Sequence, residues 1–273
     1  MKVVSFNVNG IRARFHQLEA LIKEQDPEII GLQEIKVQDD DFPLEAIEAM
    51  GYHVEYFGQK SHYGVGIMSK TAPVEVIKGM STDQKEGISA QRRLITGRYC
   101  FNGTDFIVIN GYFPQGESQD HETKYPGKKK FYADLLTVLN KQYKPNDNLI
   151  VMGDVNVAQL DLDIGIGADN AKRWLRTGKC SFLPEEREWL QKINDWGLVD
   201  SFRQLYPDED ALFSWFDYRS KGFDREPKRG LRIDQILLSS SLSEKLLGAG
   251  VSYKIRATEK PSDHCPIWAE LDL

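Results

Sequence analysis

Leu149–Val157 reads LIVMGDVNV: four consecutive apolar side chains, a glycine, and then Asp154 and Asn156 on either side of Val155. An apolar run that short and unbroken predicts a strand buried on both faces. The acid just past it is no core filler, because burying an unpaired charge costs several kcal/mol. It must cap a turn, find a partner or hold a cation. The first residues echo the pattern, since Val3–Gly10 (VVSFNVNG) also runs an apolar strand into an asparagine-bearing end. Two such halves packed together would bring their strand ends to one edge.

Working outward, strand-like and helix-like segments alternate. Strands are expected at 2–8, 28–33, 52–57, 65–69, 74–77, 93–101, 106–111, 231–238, 250–256 and 266–271. Asn102-Gly103 turns one hairpin. Helices are expected over 16–25, stopped by Asp26-Pro27, over 128–143, and from Pro184 to about Trp196, with Glu185 and Glu186 in its first turn. Residues 155–184 read as irregular. Many strands joined by short connections, with no Pro/Ser-rich linker, predict one α/β domain over 1–273: two packed mixed sheets flanked by helices.

Composition narrows the class. With 273 residues, 41% hydrophobic and 28% charged, the chain is an ordinary globular protein, which excludes disordered and fibrous types. No apolar stretch approaches the roughly 20 residues of a membrane span, and the MKVVSFNVNG start, broken by Asn7 and Asn9, is not expected to be a signal peptide. Cys100, Cys180 and Cys265 form neither a metal motif nor an even disulfide set, so free thiols in a reducing cytoplasm are expected. The net charge of −6 conceals three basic runs, 124–130, 172–182 and 219–232. They carry Tyr125, Trp174, Phe182 and Phe223 among them and read as loops that track phosphate, with aromatics available to stack.

The main functional signal is that acids and amides recur where strands stop: Asn7, Gln33-Glu34, Asp154 and Asn156, Asp234, and Asp263-His264. Taken singly, Asp154 and Asp263 could cap turns, Glu34 could be a surface acid, and His264 a loop histidine. Jointly, hard oxygen donors without a Cys or His cluster point to Mg²⁺, with Mn²⁺ able to substitute, and so to a phosphate substrate. Glu34 suits the metal, Asp154 the base, and His264 backed by Asp234 the donor to a developing oxyanion. No GxSxG or phosphate-binding P-loop motif competes.

The segments FNVNGIRAR, GLQEIK, NGYFPQGES, GDVNVAQLDLDIG, RWLRTGKCSFLPEEREW, FSWFDYRSKGF, GLRIDQILLS and KPSDHCPIWAEL together resemble the exonuclease III family of bacterial apurinic/apyrimidinic endonucleases. That family lies within the endonuclease/exonuclease/phosphatase superfamily. The match runs in order from Met1 to about Leu271; RWLRTGK and SWFDYRSKGF are the segments that narrow it to DNA repair.

The resemblance implies a four-layer α/β sandwich and metal ligation by Glu34 with Asn7 and Asp263. Asp154, Asn156 and His264 would surround a second position. It implies phosphate contact by Tyr112, water activation by Asp154, transition-state stabilisation by Asn156, and action of the Asp234–His264 pair on the scissile phosphate. One metal or two, and Asp154, Tyr112 or His264 as base, stay open. Arg93, Gln115, Arg176, Lys179, Trp215, Arg219 and Lys221 are expected to contact DNA.

The implied activity is a monomeric, Mg²⁺-dependent phosphodiesterase that cuts duplex DNA 5′ to abasic sites, degrades it 3′ to 5′, and cleans 3′ ends. Two alternatives are a superfamily enzyme acting on a lipid or inositol phosphate, and a catalytically silent DNA binder. The first would want a membrane-docking loop, and the second gains nothing from clustered carboxylates facing a polyanion. An abasic sugar offers no base to read, so its recognition needs an apolar wall. Phe213, Trp215 and Phe216 have that chemistry, and Trp215 is the expected wall.

Overall fold

The computed structural model describes residues 1–80 and 91–273. In chain order the elements are β1 (Lys2–Asn7), α1 (Phe15–Gln25), β2 (Ile29–Gln33), α2 (Leu44–Glu48), β3 (His53–Phe57), β4 (Val65–Ser69), β5 (Glu75–Lys78), β6 (Leu94–Phe101) and β7 (Thr104–Tyr112). There follow α3 (Lys124–Gln142), β8 (Leu149–Asp154), α4 (Ala168–Arg176), α5 (Pro184–Asp195), β9 (Leu198–Asp200), α6 (Ser201–Leu205), β10 (Asp234–Ser239), α7 (Ser240–Ser243), β11 (Leu246–Val251), α8 (Tyr253–Arg256) and β12 (Ile267–Leu271).

The strands form two six-stranded sheets, ordered β11-β12-β1-β2-β4-β3 and β5-β6-β7-β8-β10-β9. Each has one parallel pair at its centre, β1 with β2 and β7 with β8, and antiparallel pairing everywhere else. The two-halves expectation therefore holds at the level of topology, with β1 and β8 in matching places. Side-chain alternation then builds three apolar layers. Val3, Ile150, Met152 and Ile236 face between the sheets. Val4 and Phe6 point outward under Leu18 and Leu21 of α1. Leu149 and Val151 point outward under Leu135 and Leu139 of α3 and Leu190 and Ile193 of α5. Helix, sheet, sheet and helix make the four-layer sandwich that the sequence predicts.

Three expectations need correction. Residues 250–256 are not one strand: β11 ends at Val251 and α8 follows, with the Ile255 carbonyl accepting from Gln17 Nε2 at 2.7 Å. The period-two spacing of Val251, Tyr253 and Ile255 mimics a strand across that break. Residues 155–184 hold α4, a short helix whose Ala171 and Trp174 pack against the Phe182 and Leu231 cluster while its basic residues stay exposed, so its apolar stripe is hidden among cations in the sequence. The 124–130 run is no phosphate-tracking loop but the first turns of α3, in which Lys124 pairs with Glu117, Lys130 with Asp134 and the buried Lys128 with Glu186. All three cysteines are free, Cys100 exposed and Cys180 and Cys265 buried. Among the described residues no helix is long and apolar enough to cross a membrane.

The irregular stretch after β8 is anchored by a buried ion network. Arg232 donates to Asp163 at 2.7 Å and to Asp200 at 2.6 Å, and Arg203 also reaches Asp163. Burial opposes ionisation of Asp163, but the arginines override it and hold the carboxyl below its ordinary range. A carboxyl depressed on folding adds stability above its unfolded pKa, about 3.9, and that stability is lost as pH falls through the lower folded value. Asp163→Asn should cost about 3–5 kcal/mol at pH 7, because it leaves arginine charge uncompensated in the interior. Urea unfolding at pH 7 and again near pH 3 checks this: the gap between wild type and variant should narrow in acid.

Candidate active site

The site forms where both sheets end on the same side. Gly153 sits beside Gly111 of the parallel neighbour β7, at φ 148°; a Cβ there would lie 1.9 Å from the Gly111 carbonyl oxygen. Only glycine permits that approach. It brings Asp154 level with Tyr112 on one side and with Asp234 of antiparallel β10 on the other. Glu34 and Asn156, just past their strands, both adopt left-handed backbone, at φ 52° and 54°. Non-glycine residues in that region cluster at functional sites, where the surroundings hold them.

Asp154 is 1% exposed and His264 5%. Asp154 accepts from Asn7 Nδ2 at 2.9 Å, across the two sheets, and from its own loop's Asn156 N–H at 3.0 Å. His264 Nδ1 lies 2.8 Å from Asp234 Oδ2, and its Nε2 lies 3.7 Å from Asp154 Oδ2. Burial alone would lower the imidazolium pKa, but Asp234 and Asp154 together raise it to about 10. Burial pushes Asp154 up, with Asp234 and Glu34 adding to the effect, while His264 and the Asn7 hydrogen bond pull it back. Burial, followed by Glu34 and Asp154, drives the Tyr112 phenol well above its usual value. Tyr112 is accordingly a protonated donor, and its hydroxyl bonds Glu34 Oε1.

A cation fits this donor set. Glu34, Asp154 and Asp263 line one cleft with Asp234 buried behind it, and the repulsion that Asp234 and Glu34 exert on Asp154 is what a positive charge would relieve. Among the described residues, Asp154, Asp234 and His264 have ligand atoms within 4.8 Å of one another. His264 and Asp234 are already paired with each other, and Glu34 has one oxygen on the Tyr112 hydroxyl. The Lys36 ammonium lies 2.8 Å from the second Glu34 oxygen.

The cleft holds about 420 Å³. Of the residues expected to act, Glu34, Tyr112, Gln115, Asp154, Asn156, Lys179, Trp215, Arg219, Asp263 and His264 line it. Asn7 and Asp234 lie buried behind. Arg93 departs from expectation: it is buried, its guanidinium 3.9 Å from the Tyr63 ring centroid and 4.7 Å from that of Tyr112. It supports Tyr112 and does not offer its charge to the cleft. Arg176 and Lys221 are exposed and outside the lining.

The aromatic expectations also need correction. Phe213 and Phe216 pack in a small core with Cys265, so they are scaffold. Tyr125 and Phe182 are likewise buried, and Phe223 packs against the Phe213 cluster, leaving Trp174 as the aromatic of those runs that faces the cleft. Trp215 is half-buried and donates its indole N–H to Asp263 at 3.0 Å. Sequence reasoning passed over Asn9, which donates to the other Asp263 oxygen at 2.8 Å and also binds Lys36. Its place two residues after Asn7 in FNVNG was the available signal.

A strand-end cluster of carboxylates, amides and one carboxylate-backed histidine, on a two-sheet sandwich, defines a phosphoester hydrolase site. The chain belongs to the Endonuclease/Exonuclease/phosphatase family, whose pattern matches residues 4–264. Within it, the chain is 56% identical over 270 residues to a Haemophilus influenzae protein named Exodeoxyribonuclease III, covering 99% of both. Its fold superposes with a TM-score of 0.89 on an AP endonuclease from Archaeoglobus fulgidus, at 35% identity. It superposes with 0.88 on the Neisseria 3′ phosphatase NExo bound to a product DNA hairpin, at 34% identity, and in both cases all of each chain is covered.

Asp234→Asn removes the main charge holding the imidazolium. The His264 pKa, followed by NMR in metal-free protein, should fall by about one unit or more toward 6.5, and an unchanged titration would separate the two residues.

Proposed function

We propose that the chain is a divalent-metal-dependent DNA repair phosphodiesterase. In this reading it incises duplex DNA 5′ to abasic sites, degrades it 3′ to 5′, and removes 3′ phosphate and phosphodiester remnants. The observation that carries the reading is the buried Asp154–His264–Asp234 cluster, with Glu34, on the floor of a cleft walled by Trp215 and flanked by Lys179 and Arg219. The names of the full-length relatives agree with it. Both sheets feed one cleft, so the chain is taken to act as one domain and as a monomer.

Mg²⁺, or Mn²⁺ in its place, would be held by Glu34 with Asn7 and Asp263, with Asp154, Asn156 and His264 around a second position, and would neutralise charge on the phosphate. Asp154 accepts the proton of the attacking water: burial raises its pKa to about 8, which strengthens it as a base, while His264 and the Asn7 donor limit the rise. The His264 imidazolium, kept cationic by Asp234, faces the charge that develops on the phosphoryl oxygens. Tyr112 stays protonated, which makes Asp154 the better base of the three residues considered. Trp215, its ring fixed by Asp263, is the wall against which a base-free sugar fits.

The deciding assay is a duplex carrying one abasic analogue, with and without EDTA: incision on the 5′ side, abolished by the chelator, is expected. Glu34→Gln should weaken Mg²⁺ binding in calorimetry and recover part of its activity at high Mg²⁺. Asp154→Asn should abolish incision while leaving abasic-duplex binding intact or tighter, and a wild-type single-turnover rate would remove Asp154 from the base role.

Trp215→Ala should lower incision far more than melting temperature. A core tryptophan would instead cost about 3–5 kcal/mol of folding free energy with activity per folded molecule preserved.

A further inference from the structure

A buried lysine beneath the cleft has no part in the chemistry described so far. Lys128 of α3 is fully buried, and its ammonium has three acceptors for its three protons. They are Glu186 Oε1 at 2.6 Å, the Asn156 carbonyl at 2.9 Å and the Gln115 carbonyl at 3.3 Å. Gln115 and Asn156 both line the cleft. One turn further along the helix, Tyr132 donates its hydroxyl to the Val155 carbonyl at 2.6 Å. Residues four apart share a helix face, so a single face of α3 grips two successive peptide units directly after Asp154.

Those units need holding. Asn156 sits in left-handed backbone, a region that is unfavourable for a non-glycine residue. Its own amide donates to the Phe113 carbonyl at 2.9 Å, and its N–H donates to Asp154. Any relaxation of the 155–156 backbone would therefore move both the Asn156 side chain and a donor on which the Asp154 carboxylate depends. Glu186 completes the device: its second oxygen accepts from the Leu183 N–H at the start of α5, so Lys128 is supported by a fixed carboxylate.

A buried ion pair is weak evidence for stability alone, since an uncharged pair of similar volume often serves as well. We propose that Lys128 and Tyr132 are positioning residues, a clamp from α3 that holds the Val155–Asn156 backbone so that Asn156 and Asp154 meet the substrate in reactive register. The proposal rests on the phosphodiesterase reading above, and a misplacement of about 1 Å can cost as much as 10²-fold in rate.

The test separates fold from positioning. Lys128→Met combined with Glu186→Gln removes both charges and leaves neither stranded. With the double variant folded by circular dichroism, kcat on the abasic duplex should fall about tenfold or more while KM stays within about threefold. A kcat within about twofold of wild type, or a rise in KM alone, overturns the clamp.

If the double variant does not fold, Tyr132→Phe decides, since it deletes one oxygen and no packing. A drop in kcat of about threefold supports the clamp, and wild-type kcat overturns it. A wild-type protein that cuts no abasic duplex would be a failure of the activity reading instead. The clamp is then read from the Asn156 side-chain amide resonance in Tyr132→Phe, where a shifted signal supports it and an unmoved one overturns it.

Discussion

The hydrogen bond from Asn7 to Asp154 joins the last residue of one sheet's central strand to the last residue of the other's. It spans the apolar layer's edge and satisfies a carboxylate that is almost wholly removed from water. Burying such a group without partners would cost several kcal/mol. Asp154 is tolerable only if β1 and β8 terminate together, with the His264 loop arriving from a third direction. The stacking of the sheets is thus fixed at its polar end by charge compensation, as firmly as the apolar side chains fix it in the middle. The same compensation leaves one carboxylate and one imidazolium close but unbonded, 3.7 Å apart, with room between their charges and the cleft.

Much of this was legible in the chain. Runs such as LIVMGD and LQE end in polar groups, and an unbroken apolar run followed by an acid has few physical explanations. All eight catalytic and metal-ligand candidates from Asn7 to His264 gather at one end of the sandwich or directly behind it. Less legible was anything decided by burial around a corner. Arg93 and Lys128 look like surface cations in the sequence, yet one lies under Tyr112 and the other under the loop after Asp154. Phe213 and Trp215 are two residues apart, and only the turn between them makes one scaffold and the other wall. The 124–130 charge run misled for a related reason: the sequence lists cations without the acids that fold onto them, whereas the other two runs do supply Lys179 and Arg219 to the cleft.

The polar shell around Trp215 shows how closely reading and chemistry are joined. Asp263 orients the indole with one oxygen and meets Asn9 with the other, and Asn9 in turn contacts Lys36, the partner of Glu34. Three side chains, Asp263, Asn9 and Lys36, therefore connect the expected wall of the sugar pocket to the carboxylate expected to bind the ion.

The order of strands along the chain has a consequence for the nascent protein. One sheet is a continuous block from β5 to β10, while the other is assembled from β1 to β4 and, much later, β11 and β12. Until β12 emerges, β1 has a neighbour on one side only, and His264 has not been brought against Asp154. The Asp154–His264–Asp234 cluster is therefore completed last, after both halves of the scaffold are in place. A partly synthesised chain can already carry Glu34, Tyr112 and Asp154, yet it lacks the imidazolium set against Asp154. In order of synthesis, the last part of the cluster to arrive is therefore the histidine that faces Asp154.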